Sequence, residues 1–169
     1  PVLDLVNADG SLGCDLRYQG YEICDGKYNL KGLPAVYAAE EEAQTLIIYM
    51  KDQVTGLQVE LLYGVLPEYD VITRSAKVIN TEEDKIRLTK AQAACIDFLH
   101  GEFDVISFYG RHAMERNMQR TSVGHGAFVI GSRRGTSSHQ YNPMLILAEK
   151  ETTEDAGTCY GMSFVYSGG

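Results

Sequence analysis

The segment "TLIIYMKDQVTGLQVELLYGVL", residues 45–66, decides the fold class of this chain. Its first part, residues 45–50, is a run of β-branched and aromatic side chains, which are enriched in strands. Its second part, residues 56–66, alternates apolar and polar side chains with the period of two that a half-buried strand shows. The alternating apolar positions there are Leu57, Val59, Leu61 and Tyr63. Because only a short polar linker separates the two parts, the segment predicts an antiparallel β-hairpin.

Strand patterns continue after this hairpin. Residues 70–80 place Ile72, Ala76 and Val78 on one face, with Arg74 among them. We interpret residues 85–98 as a strand rather than a helix, because a hairpin partner precedes them and no capping signal opens them. Three later runs, "AFVIG", "PMLILAEK" and "CYGMSFVYS", are bounded by glycine, proline or polar clusters and predict further strands. The part before about Tyr37 is rich in Gly and Asp and predicts irregular structure with short strands at best. These patterns together predict an all-β sandwich of antiparallel meanders.

Composition and charge limit the classes of function. The length of 169 residues suits one domain, and the net charge of −8 argues against nucleic acid as a partner, because phosphate binding needs clustered Lys and Arg. No apolar stretch approaches the roughly 20 residues of a membrane span, and no signal peptide opens the chain. Four cysteines without CxxC spacing predict free thiols in a reducing compartment, which favours a cytoplasmic protein. They are Cys14, Cys24, Cys95 and Cys159.

The polar segment "SRRGTSSHQYNP", residues 132–143, is the most conspicuous candidate site. Its glycine and paired arginines resemble an anion-binding nest in composition, but the GK[ST] ending of a P-loop is missing. A nucleophilic set could be composed from Ser137 or Ser138 with His139 and a distant Asp. Against it, no G-x-S-x-G elbow occurs, and adjacent strand residues point to opposite faces.

Two other constellations also have ordinary structural explanations. Asp97 and Glu102 could be paired as the two carboxylates of a glycosidase, but most of the 23 acidic residues are expected to be solvated surface charges. Residues 112–115 spell H-x-x-E, but a helical metal pair needs a helix and further ligands, and neither is indicated. We therefore predict no catalytic pair and no metal site within this chain.

Several motifs, in order along the chain, resemble the N-terminal β-domain of glycoside hydrolase family 36 α-galactosidases. The most specific are "DLRY" (15–18), "GLPA" (32–35), "EAQTL" (42–46), "DVITRS" (70–75) and "SRRGTSSHQYNP" (132–143). The resemblance runs from about Val2 to the last residue. It departs from the family where members often carry G-x-W-x-R-E-R and this chain has "YGRHAMER", which weakens any detailed transfer of contacts around residues 111–113.

The resemblance implies that residues 1–169 are part of a large N-terminal β-sandwich, truncated at both ends, whose parent also carries a (β/α)₈ barrel and a small C-terminal β-domain. The parent is expected to be a bacterial retaining enzyme that removes terminal α-galactose from melibiose, raffinose and related oligosaccharides without a cofactor. Its nucleophile lies in a K-W-D-type motif of the barrel, which this chain cannot contain because it has no tryptophan. The fragment alone is therefore expected to be inactive.

The same resemblance gives residues 132–143 a role in assembly. We expect this segment to connect two strands and to dock on the parent's catalytic barrel or on a neighbouring subunit of a homo-oligomer. A place at the rim of the substrate pocket and a plain exposed loop stay open as alternatives. The candidate residues are Arg133, Arg134, Ser138, His139, Gln140 and Asn142. Two other classes of function also stay open, a stand-alone carbohydrate-binding module and an oligomerisation module.

Overall fold

The fold is built from antiparallel strands, as the sequence predicts. A computed structural model describes residues 3–132, 134–135 and 138–165. The strands are β1 (Leu3–Val6), β2 (Leu16–Asp25), β3 (Gln44–Asp52), β4 (Gln58–Leu66), β5 (Val71–Ile79), β6 (Arg87–Ala91), β7 (Phe103–Arg111), β8 (Met114–Ser122), β9 (Tyr141–Glu149) and β10 (Cys159–Ser163). Two short 3₁₀ turns, Glu40–Glu42 and Pro67–Tyr69, are the helical elements of the described ranges. No helix within these ranges is long and apolar enough to span a lipid bilayer.

The chain divides into two compact units, although its length suggests one domain. The first comprises Pro1–Gly32 and Val36–Asp97, and the second comprises Leu33–Ala35 and Phe98–Gly169. The first unit contains a four-stranded sheet in the order β2-β3-β4-β5 and the two-stranded pair β1-β6. The second contains a four-stranded sheet in the order β10-β9-β7-β8.

The hairpin predicted from residues 45–66 is confirmed as β3 and β4. Ile48 pairs with Leu61, and the ladder runs from Gln44 to Lys51. The turn between the strands is held by Asp52, which is 3% exposed. The backbone N–H groups of Val54 and Thr55 donate to its carboxylate at 2.8 and 3.0 Å, and the N–H of Asp15 donates at 2.8 Å. These hydrogen bonds, that from Thr55 above all, hold the pKa of Asp52 below its usual range.

One face of the first sheet is apolar and largely open in this chain. Residues that stand opposite one another on neighbouring strands share a face, so the register groups these side chains. The apolar face, as we call it, consists of Tyr21 and Ile23 on β2, Leu46 and Ile48 on β3, Leu61, Tyr63 and Val65 on β4, and Ile72 on β5. The charged Arg74 of β5 stands opposite Tyr63 on the same face, and its guanidinium lies against the Tyr63 ring. Tyr21, Ile23 and Ile72 are more than 60% exposed.

Several strand predictions are wrong in detail. The region before Tyr37 is not merely irregular, because β2 is ten residues long and pairs with β3 along its length. A bulge between Tyr18 and Gly20 shifts the phase of its apolar positions, which hides the period of two. Strands β7 and β8 were not predicted, and β8 is a largely exposed polar strand.

The partners of two segments also differ from the expectation. Of the segment 85–98 that was predicted as a strand, only β6, residues 87–91, forms one, and it pairs with β1 instead of β5. Residues 127–131, "AFVIG", do not form a strand. Strands β7 and β9 already have a partner on each side, and the two edge strands of this sheet, β8 and β10, do not pair with this short apolar run. The strands predicted from "PMLILAEK" and "CYGMSFVYS" are confirmed as β9 and β10.

Candidate functional site

The polar segment 132–143 connects the irregular stretch after β8 to the start of β9. Arg133 and the candidate nucleophile Ser137 lie outside the described residues. Arg134 and His139 are exposed, whereas Ser138, Gln140 and Asn142 are half-buried. Asn142 belongs to β9. The structure therefore separates the sequence candidates into an exposed basic pair and a half-buried polar group.

A tight turn positions the half-buried part of this segment. The backbone N–H of Tyr141 donates to the carbonyl of Ser138 at 3.2 Å, and the N–H of Gln140 donates to Ser138 Oγ at 3.3 Å. Ser138 thus uses its hydroxyl as an acceptor that shapes the turn, which explains why a serine is suited to this position. This turn does not support a nucleophilic pair of Ser138 and His139, because the two are consecutive residues in it.

The turn directs Gln140 and Tyr141 into a groove of about 400 Å³ within the second unit. The groove is lined by β7 residues 107–110, by Gln119 of β8 and by residues 128–130. None of the lining residues in the described part of the chain is charged. Its residues come from four separate parts of the chain, so the sequence carried no local signal for it beyond Gln140.

Two tyrosines form the floor of this groove. Tyr109 of β7 and Tyr141 of β9 stand directly opposite each other in the ladder, which places their Cβ atoms about 5 Å apart on one face of the sheet. Both rings stay accessible, at 46% and 50% exposed, and Phe128 beside them is 50% exposed. The groove thus presents uncovered aromatic surface next to the amide of Gln119.

A second polar group, centred on Arg120, was also missed by sequence reasoning. Its guanidinium donates to Asp104 Oδ2 at 2.7 Å, and Ser122 Oγ donates to Asp104 Oδ1 at 2.8 Å. The same guanidinium donates to the carbonyls of Glu149, Lys150 and Thr152 at 2.8–3.0 Å. These contacts tie β7 and β8 to the turn after β9. The hydrogen bond from Arg120, followed by that from Ser122, holds the pKa of Asp104 below its usual range.

The other acidic and histidine candidates occupy structural positions. Glu102 forms an ion pair with Lys150, which lowers the pKa of the carboxyl, whereas a general acid needs a raised pKa. His112 lies in the two-residue turn between β7 and β8, and Glu115 lies on β8, so the H-x-x-E spacing does not sit on a helix. The described part of the chain holds no group of three or more His, Cys, Asp or Glu side chains arranged to bind a metal ion. All four cysteines are free thiols.

Comparison with known proteins gives a consistent result. The profile of the glycosyl hydrolase family 36 N-terminal domain matches residues 1–169. The chain is 61% identical to the bifunctional alpha-galactosidase/sucrose kinase AgaSK of Mediterraneibacter gnavus, over 99% of this chain and 18% of that protein. It is 43% identical to the alpha-galactosidase Mel36A of Lactobacillus acidophilus, over 99% of this chain and 23% of that protein. A fungal relative, alpha-galactosidase C of Emericella nidulans, is 34% identical over 99% of this chain and 22% of that protein.

Solved structures agree with the sequence relatives. The alpha-galactosidase AgaA of Geobacillus stearothermophilus superimposes with a TM-score of 0.95 at 40% identity, covering 99% of this chain and 24% of that one. The galactosidase domain of AgaSK gives a TM-score of 0.93 at 60% identity, covering 99% of this chain and 23% of that one. The chain spans less than a quarter of the length of these relatives. On these matches, the chain belongs to glycosyl hydrolase family 36, and its residues correspond to the N-terminal domain of that family.

Proposed function

We propose that this chain is a non-catalytic β-domain of an α-galactosidase. The complete protein would hydrolyse terminal α-D-galactosyl residues of melibiose- or raffinose-type oligosaccharides with retention of configuration. Structures of the relative AgaA were solved with raffinose and, in another variant, with stachyose, which supports this class of substrate. The catalytic (β/α)₈ barrel would lie outside residues 1–169, together with its K-W-D-type motif, for which this chain has no tryptophan.

The open apolar face is the observation that carries the structural part of this proposal. Tyr21, Ile23 and Ile72 of this face are 63%, 61% and 69% exposed in the chain on its own. They share one face of the sheet with other apolar side chains, and contiguous exposed apolar surface of this kind marks a contact site. We infer that this surface is buried by other parts of the complete polypeptide or by neighbouring subunits.

Arg134 and His139, the exposed basic residues in the described part of the polar segment, suit the same role. We propose that Arg133, Arg134 and His139 supply directional hydrogen bonds at the contact with the catalytic barrel or with a neighbouring subunit, supported by Ser138 and Asn142. Arginine fits this task because its guanidinium presents several donors in a fixed planar geometry. Arg134 is exposed, and its guanidinium has no hydrogen-bond partner among residues 3–132, 134–135 and 138–165.

We further propose a bacterial, cytoplasmic origin and a homo-oligomeric complete protein. The identity of 61% to a protein of Mediterraneibacter gnavus, against 34% to one of Emericella nidulans, supports the bacterial source. Four free thiols are compatible with a reducing compartment.

The test compares hydrolysis of an aryl α-galactoside by the complete polypeptide and by residues 1–169 alone. We expect the complete polypeptide to be active, with the α-anomer of galactose as the first product seen by NMR, and the 169-residue chain to be inactive. A complete polypeptide without activity on α-galactosides would refute the proposed substrate class. An active 169-residue chain would refute the placement of catalysis outside it.

A further inference from the structure

The tyrosine-floored groove of the second unit has no part in the function proposed above. Its floor is the Tyr109–Tyr141 pair, its sides are Gln119, Gln140 and residues 128–130, and its volume of about 400 Å³ lies in the range of small-molecule sites. Two features of this groove restrict what it can bind, namely its aromatic surface and the uncharged side chains that line it among the described residues.

The aromatic surface selects a ligand with a flat apolar face. Tyr109 and Tyr141 are neighbours on one face of the sheet, and both rings are about half exposed. Strands β7 and β9 fix the backbone of both residues, so little conformational entropy remains to be lost when a ligand covers the rings. The C–H face of a pyranose ring is such a flat apolar surface, and tyrosine pairs aromatic area with a polar hydroxyl.

The polar groups at the sides select a ligand that both donates and accepts hydrogen bonds. An amide group carries two donors and an acceptor oxygen. The Gln119 amide donates one hydrogen bond to Thr121 Oγ1 at 3.3 Å. Within residues 3–132, 134–135 and 138–165, no charged residue lines the groove, although the chain as a whole carries a net charge of −8. These residues therefore offer an anion no cationic partner and a cation no carboxylate.

We propose that this groove is a binding site for a neutral carbohydrate, of one or two sugar units, stacked on Tyr109 and Tyr141 and hydrogen-bonded by Gln119 and Gln140. The proposal stands on the geometry of the second unit and does not depend on the activity of the complete protein. It also gives a role to the turn at Ser138, which brings Gln140 and Tyr141 to the groove.

The test is amide hydrogen exchange of the complete polypeptide, with and without saturating maltose, a neutral disaccharide that carries no α-galactosyl group for the proposed activity to hydrolyse. We expect added protection in peptides that contain residues 107–110 and 140–141, and we expect Tyr141→Ala to raise the maltose concentration for half-maximal protection about tenfold. Tyr141→Phe, which keeps the ring, should bind within about threefold of the unsubstituted protein. Tyr37→Ala is the matched control, because Tyr37 is an exposed tyrosine of the other unit outside the apolar face, and it should leave these peptides unaffected.

Three outcomes would overturn the proposal. One is the absence of maltose-dependent protection in these peptides, and another is equal protection in the Tyr141→Ala variant, provided that its circular dichroism spectrum is unchanged. The third is a groove already protected without sugar in the complete polypeptide but not in residues 1–169, which would identify it as an internal contact. Hydrolysis of the aryl α-galactoside, measured on the same samples, reports the proposed function separately.

Discussion

Arg120 shows how one side chain can hold a sheet together across several strands. Its hydrogen bond to Asp104, together with that from Ser122, keeps the folded-state pKa of Asp104 below the ordinary value near 3.9. Because the folded-state pKa is lowered, the carboxylate stabilises the fold at pH values above the ordinary pKa. This contribution is lost as the pH falls through the folded-state pKa. We therefore expect Asp104→Asn to lower the unfolding temperature at pH 7. The difference in unfolding temperature from the unsubstituted chain should shrink below about pH 4.

The measurement is thermal unfolding followed by circular dichroism between pH 3 and pH 7. Asp155→Asn is the matched control, because Asp155 is an exposed carboxylate in the loop between β9 and β10. This control should give the same unfolding temperature as the parent at every pH. A constant difference between Asp104→Asn and the parent down to pH 3 would contradict the assigned role of the Asp104 carboxylate.

Two apolar residues at the β3–β4 turn differ strongly in how far they are buried. Leu57 is 1% exposed, whereas Val54, three residues earlier in the same turn, is 92% exposed. Removing a buried leucine side chain to alanine costs about 2–5 kcal/mol, whereas a change at an exposed site usually stays within about 0.5 kcal/mol. We expect this contrast between Leu57→Ala and Val54→Ala in urea unfolding followed by tyrosine fluorescence. Equal effects of the two substitutions would mean that Leu57 is not packed in the core.

At the scale of elements, the β7–β8 hairpin depends on a glycine. A Cβ atom at Gly110 would lie 2.2 Å from the carbonyl oxygen of Met114 and 3.0 Å from the Cα of Glu115, so the facing backbone would have to move. Overpacking of this kind costs about 1–3 kcal/mol. Gly110→Ala should therefore lower the free energy of unfolding by that amount, measured by urea unfolding. It should also weaken carbohydrate binding in the groove, which Gly110 lines.

Gly124 provides the control for this substitution. It belongs to the same unit, its φ lies outside the left-handed region, and a Cβ atom there would meet nothing within 4 Å. Gly124→Ala should be neutral or slightly stabilising, because alanine reduces the conformational freedom of the unfolded chain. A Gly110→Ala variant as stable as Gly124→Ala would show that the hairpin accommodates the side chain.

The elements also show what the sequence could predict. Strands β3 and β4 were predictable because their apolar alternation is regular and one short linker joins them. Strand β2 was hidden because its bulge near Gly20 changes the phase of the pattern. Residues 127–131 have the composition of a strand but do not form one, because a local pattern does not encode whether a segment pairs with another strand. The pairing of β6 with β1 joins residues more than 80 positions apart, and no local pattern encodes such a contact.

The candidate site could be predicted only in part, because its residues come together only in the folded chain. The polar segment 132–143 stands out in the sequence, and its members Gln140 and Asn142 do lie at or near the groove, Gln140 as a lining residue. Tyr109, Gln119 and Phe128 were not singled out, because the groove exists only once β7, β8 and β9 are aligned. The family was predictable from motifs spread over the chain, since each motif contributes independently to the match.

The open apolar face leads to a prediction for one substitution, Ile23→Lys. We expect it to be favourable in residues 1–169 alone and unfavourable in the complete polypeptide. Ile23→Lys places a charge on this face, where Ile23 is 61% exposed in the chain on its own. In residues 1–169 alone, we expect the charge to reduce self-association in sedimentation velocity and to reduce binding of a hydrophobic dye. In the complete polypeptide, where we propose that the face is buried, an unpaired lysine there should lower stability by about 2 kcal/mol or more.

Val54→Lys is the control, because Val54 is an exposed turn residue outside this face. It should leave both self-association of the short chain and stability of the complete polypeptide unchanged. If Ile23→Lys were neutral in the complete polypeptide, the face would be solvent-exposed there as well, and the proposed contact through this face would be refuted. If Ile23→Lys destabilised the complete polypeptide and reduced self-association of residues 1–169, the face would be buried in the complete polypeptide by parts of the protein outside residues 1–169.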